Sequence, residues 1–305
     1  MQIVSFKIKL KYFFKRRLIF LAWLSLCCLL IGEAGRWFWI FELFSHFVPF
    51  YTVALFLGAW ISNKLWQKVL FLLTALSLIV WIFSPLLSAS IDTKRPLPQK
   101  FLSYNLFIDN QNIDQNIQWL LRADADIIFL TEATLASENA LSKLSQKYPF
   151  GCKKLEDTPF GLALYSNKPL RNCEVLYFKN LEDFPYIRAQ LMDQRIIYGI
   201  HPPPPISLDF ANYRNQSLQA LSEKISTENQ YLIVMGDMNS TPFSIKYREF
   251  IKQTGLKPTV TLWNPTWIPG LLALDHILIK SPYATKQTGQ GMWIGSDHRP
   301  VWVVW

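Results

Sequence analysis

Three uncharged, apolar stretches in the first third of the chain limit how this sequence can fold. They cover residues 18–31, 47–61 and 69–87. A helix needs about 20 apolar residues to cross the hydrocarbon core of a bilayer, so the first two stretches must be extended by their aromatic neighbours. Tryptophans near the ends of the stretches are typical of membrane interfaces. The pattern predicts a membrane region over residues 1–91 with about three transmembrane helices, and the alternative is a buried helical hairpin.

The basic residues of the chain are concentrated in the same region. Residues 1–91 contain 9 Lys/Arg and 2 Asp/Glu, whereas the remaining residues contain 22 and 20. A basic segment ahead of the first stretch is typical of a signal peptide or of a cytoplasmic N-terminus. With three spans, and with Lys64 and Lys68 between the last two, the positive-inside rule favours an extracytoplasmic C-terminal part. A miscount of one span reverses this orientation. The nearly neutral C-terminal part gives no charge signal for nucleic acid.

The C-terminal part alternates predicted strands and helices. Pro96 and Pro98 interrupt regular structure, so residues 92–100 are expected to be a linker before a domain over residues 101–305. Short apolar runs predict strands, and amphipathic segments predict helices. The predicted strands cover residues 101–107, 126–130, 161–165, 187–192, 195–200, 231–235, 271–279 and 300–305. The predicted helices cover residues 113–121, 136–148 and 212–225. This alternation indicates a layered α/β sandwich.

Polar residues stand where most of the predicted strands end or begin. Strand ends that meet at one edge of a sheet are where α/β proteins build sites. Carboxylates and short amides suit a hard divalent cation, and an imidazole beside a buried carboxylate can donate to phosphate. Each residue taken alone is more often a turn residue or a helix cap, so the argument rests on their coincidence. They are Asn105, Glu132, His201, Asp237, Asn239, Asp275, Asp297 and His298.

The order of these motifs resembles the endonuclease/exonuclease/phosphatase superfamily. YN, TE, IH, GDMNSTP, LDHIL and GSDHRPV occur in that order between residues 99 and 305. HPPPP followed by Asn-Tyr-Arg resembles a bacterial branch with amino-terminal membrane spans. The resemblance implies a four-layer αββα sandwich preceded by transmembrane helices, in a multi-pass protein of the bacterial inner membrane. It also implies hydrolysis of phosphate esters that depends on Mg²⁺ or Mn²⁺.

The resemblance implies a metal site at the first two motifs. Glu132 would be the principal ligand, with Asn105 close to it and Asp297 in the metal shell. Some members carry a second Asn or Asp where this chain has Phe107, so one contact to the metal is missing or is made by water. Arg214 is a further candidate for substrate contact, although it could instead pair on its own helix.

The resemblance also implies the catalytic roles. Asp237 would align or deprotonate the attacking water, and Asn239 would hold the scissile phosphate. His298 would contact the phosphate and be oriented by Asp275, and His201 would lie near the phosphate. His276 is expected on the opposite strand face from Asp275.

The substrate is left open among phosphate esters. A phosphodiesterase or nuclease is favoured; the alternatives are a phosphomonoesterase, a phospholipase acting on lipid headgroups, and a non-catalytic membrane-binding module. The expected partners are the lipid bilayer and a phosphate-ester substrate, with nucleic acid as one option, and no protein partner is predicted. Cys152 and Cys173 can form a disulfide if the domain is extracytoplasmic. Several aromatic residues could stack on bases, insert into lipid or fill a core, namely Phe160, Tyr186, Trp263, Trp267 and Trp293.

Overall fold

The structure of the chain is a computed structural model that describes residues 2–87, 98–283 and 285–305. It divides into two compact units, Met1–Ser84 with Phe243–Ile245, and Pro85–Pro242 with Lys246–Trp305. Residues 92–97 of the predicted linker lie outside the described residues. Each unit buries apolar side chains of its own.

The first unit is helical. Its α-helices are α1 (Gln2–Glu33), α2 (Trp39–Glu42), α3 (Val48–Ile61) and α4 (Leu65–Leu87), with 3₁₀ turns at Ala34–Arg36 and Leu43–Phe47. Three helical segments are long and apolar enough to cross a membrane, namely Tyr12–Arg36, Trp39–Ile61 and Leu65–Pro85. Neighbouring aromatic residues therefore do extend the two short apolar stretches. Gly58 lets α1 and α3 approach closely, because a Cβ there would meet the Ala22 Cβ at 2.4 Å.

The second unit contains two six-stranded mixed sheets in its described residues. The first has the order β11-β12-β1-β2-β4-β3 and the second β5-β6-β7-β8-β10-β9. Their strands are β1 (Lys100–Asn105), β2 (Ile127–Thr131), β3 (Phe150–Lys154), β4 (Leu162–Ser166), β5 (Leu170–Phe178), β6 (Leu181–Leu191), β7 (Ile196–Ile200), β8 (Leu232–Asp237), β9 (Lys257–Pro258), β10 (Asp275–Lys280), β11 (Gln287–Gln290) and β12 (Val301–Val304). The helices are α5 (Ile113–Arg122), α6 (Glu138–Ser142), α7 (Leu144–Lys147), α8 (Leu208–Thr227) and α9 (Ile245–Thr254).

These elements form the predicted four-layer αββα sandwich. Apolar residues of both sheets fill the central layer, including Phe101, Phe129, Ile197 and Ile233. Residues of α5, α6 and α7 pack on the outer face of the first sheet, and residues of α8 and α9 pack on that of the second. The sheets approach closely where a Cβ at Gly199 would meet the Phe129 ring at 2.3 Å. Burial of these alternating apolar side chains is the main stabilising term of the domain.

Strand direction brings the candidate residues to one edge of the sandwich. β1 is parallel to β2, and β7 is parallel to β8, so the carboxyl ends of each pair lie together. β10 and β12 run antiparallel and start at the same edge, as the register pairs Asp275 with Asp237 and Ser103 with Val301 show. The prediction from the sequence that these strand ends meet at one edge is therefore confirmed.

Several predicted elements have different bounds in the structure; the predicted strand 187–192, for example, is part of β6, which begins at Leu181. The predicted strand 271–279 begins only at Asp275, because residues before it form a loop in which Trp267 bridges Leu272. The predicted helix 136–148 is two short helices, α6 and α7. The strands that lacked a prediction are at or next to sheet edges, where exposed polar residues interrupt the apolar run.

Candidate active site

Asn105 joins the two sheets at the site edge. Its side-chain amide donates to Glu132 Oε1 at 2.8 Å and to Asp237 Oδ2 at 3.0 Å. The other Glu132 oxygen accepts from the backbone N–H of Ile108 at 2.7 Å. Glu132 has a φ of 55°, a left-handed conformation that is unfavourable for a residue with a side chain. The fold thus holds the Glu132 carboxylate in place at the cost of local backbone strain.

The turn after β8 places Asp237 and Asn239 beside each other. Asp237 Oδ1 accepts from the Asn239 backbone N–H at 2.8 Å, and Asn239 has a φ of 47°. The Asn239 amide donates to the Pro202 carbonyl at 3.0 Å. Gly236 is required just before the turn, because its φ is 142° and a Cβ would lie 1.9 Å from the Ile200 carbonyl oxygen. The segment is therefore a strained turn whose two polar side chains face the site.

Asp275 and His298 form a buried pair. His298 Nδ1 donates to Asp275 Oδ2 at 2.6 Å, and the two residues are 4% and 3% exposed. The other ring nitrogen, Nε2, lies 3.7 Å from Asp237 Oδ2 and 3.9 Å from Asp297 Oδ1. A hydrogen bond to Nδ1 fixes the ring and directs Nε2 toward the remaining carboxylates. The sequence prediction that Asp275 serves His298 matches this geometry.

The local charges determine which groups are ionised in the metal-free site. Burial lowers the pKa of His298, but the carboxylates of Asp275, Asp237 and Asp297 outweigh burial and raise it to about 10. Burial by itself would raise the pKa of Asp237, yet the imidazoles of His298 and His201 and hydrogen bonds from Asn239 and Asn105 hold it below its usual range. The site therefore combines an imidazolium with a neighbouring carboxylate at neutral pH.

His201 completes the group around Asp237. It is 4% exposed, and its Nε2 lies 3.8 Å from Asp237 Oδ2. Its Nδ1 is buried and has no hydrogen-bond partner in the described part of the chain. His276, in contrast, directs Nε2 to the Ser240 carbonyl at 2.9 Å, and its ring packs against Tyr247. Neighbouring strand residues therefore point apart, as expected.

Arg214, a candidate for substrate contact, is a buried residue of α8. It is 0% exposed, and its guanidinium donates to Ser240 Oγ at 3.2 Å and to Asn215 Oδ1. The contact with Asn215 matches the alternative that Arg214 pairs on its own helix. Its contact with Ser240 supports the segment that follows Asn239.

Three residues support the site in ways that the sequence analysis did not predict. Ser296 Oγ donates to the Asn105 carbonyl at 2.8 Å and accepts from the His298 N–H at 2.9 Å. Thr266 Oγ1 accepts from the Asp275 N–H at 3.0 Å, and Trp267 Nε1 donates to Asp297 Oδ2 at 2.9 Å. In the sequence, nothing marks the polar Thr266 between Pro265 and Trp267 as a supporting residue, because a residue in a loop belongs to no periodic pattern of apolar and polar residues. Ser296 was visible only as part of the terminal motif.

The aromatic candidates separate into different environments. Tyr186 is a core residue, and Phe160 packs edge-on against Phe184. Trp263 and Trp293 are exposed, although the Trp293 indole N–H donates to the Ser296 carbonyl. The stacking or lipid role foreseen for this set is therefore restricted to the exposed members.

The oxygen-rich side chains at this edge fit a hard divalent cation. Ligand atoms of Asp237, Asp275 and His298 lie within 4.8 Å of one another, but His298 Nδ1 is already bonded to Asp275. Glu132 has one hydrogen bond on each oxygen, which leaves lone pairs for a metal. Asp297 Oδ1 is buried and lacks a hydrogen-bond partner among the described residues. The carboxylate oxygens of Glu132 and Asp297 therefore have lone pairs available for a cation, whereas His298 Nδ1 in the other group is occupied by Asp275.

Comparisons with known proteins support this geometry at the level of the fold. A sequence profile of the Endonuclease/Exonuclease/phosphatase family matches residues 102–298. No curated protein matches the chain. An AP endonuclease from Archaeoglobus fulgidus is similar in structure, with 17% identity, a TM-score of 0.56, and coverage of 68% of this chain and 99% of that one. Sphingomyelinase C from Streptomyces griseocarneus has 16% identity, a TM-score of 0.52, and coverage of 68% and 99%. Truncated TDP2 from Caenorhabditis elegans has 13% identity, a TM-score of 0.56, and coverage of 68% and 97%.

Proposed function

This chain belongs to the Endonuclease/Exonuclease/phosphatase family of divalent-metal-dependent hydrolases of phosphate esters, and on that premise we propose that it is a membrane-anchored phosphodiesterase. The observation that carries the proposal is the buried Asp275–His298 pair beside Asp237. It places a proton donor, His298 Nε2, 3.7 Å from a proton acceptor, Asp237 Oδ2, and general acid–base hydrolysis of a phosphate ester uses both. The proposed domains are a membrane region over 1–91, a linker over 92–100 and a catalytic domain over 101–305.

The side chains divide the work of one displacement at phosphorus. Asp237 orients the water and accepts its proton as the oxygen attacks. His298 donates from Nε2 to a phosphate oxygen while Asp275 keeps the ring charged and oriented. Asn239 holds the phosphate, and His201 lies where it can contact a phosphate oxygen. The P–O bond to the leaving alcohol breaks, the alcohol takes up a proton from solvent water, and Asp237 returns its proton to solvent.

The metal ligands proposed here are Glu132, Asn105 and Asp297. When bound, Mg²⁺ or Mn²⁺ neutralises charge on the phosphate and on the leaving oxygen. The hydrogen bond from Asn105 holds Glu132 beside it before binding, and the Glu132 backbone is strained in this position. Preorganised ligands of this kind require little rearrangement during the reaction.

The charge of the site supports a diester rather than a monoester. The hydrogen bonds described for the four site carboxylates come from amide, indole and imidazole N–H groups, and none of these bonds comes from Lys or Arg. A monoester is close to a dianion at neutral pH, since its second pKa is about 6, whereas a diester carries one charge. The positive charges of His298 and of one divalent metal are enough to balance the single negative charge of a diester.

The membrane segments and the cysteines support an extracytoplasmic catalytic domain in a multi-pass inner-membrane protein. Three helices meet the length and composition of spans, and six basic residues between Lys7 and Arg17 lie before the first or in its first six residues. Cys152 on β3 and Cys173 on β5 form a disulfide between the two sheets, with a Cα–Cα distance of 5.6 Å. Disulfides persist in oxidising compartments. A phosphatase reporter fused at residue 94 should be active, and an inactive phosphatase with an active cytoplasmic reporter would reverse the orientation.

Activity of the full-length chain in detergent tests the catalytic proposal. We expect hydrolysis of bis(p-nitrophenyl) phosphate with Mg²⁺ or Mn²⁺, loss with a chelator, and slower hydrolysis of p-nitrophenyl phosphate. His298→Ala should abolish the activity. Asp183→Asn removes an exposed carboxylate of β6 as a matched control and should retain it. Equal activity of His298→Ala and the control would exclude the assigned site.

A further inference from the structure

The most exposed apolar side chains of the second unit are clustered at the site edge. Seven large apolar side chains in its described residues are more than 45% exposed. Six of them flank the site, and the seventh, Met192, lies in the turn between β6 and β7 at the opposite end. The six form the apolar rim, defined as Leu135, Ile206, Leu208, Leu271, Met292 and Trp293.

Each rim residue lies close in sequence to a site residue. Leu135 follows Glu132 at the end of β2, and Ile206 follows the proline segment after His201. Met292 precedes the motif that ends in His298. Because these loops leave the same ends of the strands, the rim residues lie on the edge of the sandwich that carries the site. The side chains of Ile206 and Met292 are 74% and 73% exposed, so core packing does not account for them.

The charge of the same loops does not suit a polyanion. The loops at this edge, 106–112, 133–137, 155–161, 179–180, 202–207, 238–242, 259–274 and 291–299, contain two basic residues, Lys179 and Arg299, and four acidic ones, Asp109, Glu156, Asp157 and Asp297. Proteins that bind nucleic acid obtain most of their affinity from several Lys or Arg contacts to phosphates. An uncharged apolar rim gains free energy instead by leaving water for an apolar phase.

We propose that the apolar rim docks on the surface of a lipid bilayer and that the substrate is a membrane phospholipid. This inference rests on the phosphodiesterase function proposed above and specifies its substrate class. Tryptophan and aliphatic side chains are the types that enter the interfacial region of a bilayer. Exposed apolar patches beside a ligand site mark such contacts.

The covalent continuity of the chain favours a bilayer over other apolar partners. Twelve residues separate Leu87, the last residue of α4, from Lys100 in β1. A trans peptide chain of that length reaches about 45 Å at most. With the proposed anchor in place, the start of β1 therefore stays within about 45 Å of the end of α4. Docking then requires only rotation, without the entropy loss of bringing two free molecules together.

The reaction on a phospholipid is the diester hydrolysis already described. Water adds to phosphorus, one P–O ester bond breaks, and the products are a phosphomonoester and an alcohol. Docking of the apolar rim brings the lipid phosphate to the site edge, where His298 and the metal ligands lie. A substrate drawn from the bilayer plane would need no basic groove outside the cleft.

The test uses the full-length chain reconstituted in dioleoyl phosphatidylcholine vesicles with Mg²⁺. Phosphorus NMR measures appearance of the phosphomonoester, and bis(p-nitrophenyl) phosphate measures the same site without a membrane. Ile206→Ser with Met292→Ser removes two exposed rim side chains that make no side-chain hydrogen bond among the described contacts. We expect the ratio of vesicle rate to soluble rate to fall about tenfold. Met192→Ser is the matched control, and its ratio should equal that of the wild type.

The outcomes separate the two proposals. Failure of the wild type to hydrolyse the soluble diester would reject the phosphodiesterase function. Soluble hydrolysis without vesicle hydrolysis, or a ratio unaffected by the double variant, would reject lipid docking alone. If the wild type cleaves single-stranded DNA faster than it cleaves vesicle lipid, the rim has another role. This comparison does not depend on whether the double variant folds. A dimer in nanodiscs that the double variant abolishes would assign the surface to a second copy.

Discussion

Replacing Asp275 with asparagine tests the proposed proton chemistry directly. The change keeps the size of the side chain and removes the charge that lies 2.6 Å from His298 Nδ1. The backbone should stay in place, because the Asp275 N–H donates to Thr266 Oγ1 and the residue pairs with Asp237 in the sheet. The perturbation is therefore electrostatic, at a position that is 3% exposed.

The magnitude follows from the loss of one charge-assisted hydrogen bond. Such bonds contribute about 1.5–3 kcal/mol, which corresponds to about ten- to hundredfold in rate if the bond is needed in the transition state. Asp275 contacts neither substrate nor the proposed metal ligands, so kcat should fall while KM stays close to that of the wild type. Without the Asp275 charge, burial lowers the pKa of His298 from about 10. The alkaline limb of the kcat profile should then move to lower pH.

The assay is hydrolysis of the soluble diester by full-length variants across pH, with thermal unfolding recorded for each. Loss of stability alone lowers the active fraction equally at every pH below the unfolding region, and it does not move the alkaline limb. Wild-type kcat with an unmoved limb would refute the role assigned to Asp275. An equal decrease in the Asp183→Asn control would show that carboxylate removal itself is the cause.

Three further predictions test the metal ligands, the disulfide and the charged pair. Glu132→Gln should raise the Mg²⁺ concentration for half-maximal activity about tenfold or more, measured by metal titration, because it removes a charged oxygen ligand; an unchanged titration would exclude Glu132. Cys152→Ser should destabilise the domain by about 3 kcal/mol, measured by denaturant unfolding without reductant, because the bond closes a short loop; a loss below about 0.5 kcal/mol would show that the bond does not form. In chelator, the stability contributed by protonated His298 should be complete below its usual pKa of 6.5 and lost as pH rises through about 10. Denaturant midpoints measured across that window should fall in the wild type more than in Asp275→Asn, and parallel curves would contradict the charged pair.

Much of the architecture follows from short-range patterns in the sequence. β2, β7 and β8 are continuous apolar runs, because both of their faces are covered in the sandwich. The sequence alone locates the polar residues at their ends, since a charge that ends an apolar run must leave the core. The helix predicted over 113–121 is observed as Ile113–Arg122 because its apolar residues repeat with helical periodicity.

The remaining features depend on contacts that are distant in sequence. Arg214 on an amphipathic helix looks like a surface residue, and only the fold shows that it reaches Ser240. The loop from Asn264 to Leu274 contains several apolar residues, and its C-terminal part resembles the start of a strand. Its conformation is set by Trp267, which pairs with Leu272 and donates to Asp297. Neither contact leaves a periodic signal in the sequence.

The loops that hold the site also carry the rim, and the same hydrogen bonds order both. The Ile268 N–H donates to the Asp297 carbonyl and the Arg299 N–H to the Thr266 carbonyl, each at 2.9 Å, so the two loops behave as one layer. Their inner side chains orient Asp275 and Asp297. Outer side chains of the same layer form part of the apolar rim. The proposed docking surface and the catalytic residues are therefore held by the same hydrogen-bonded loops. A rim substitution that leaves these backbone bonds intact should therefore change access to lipid before it changes the chemistry at phosphorus.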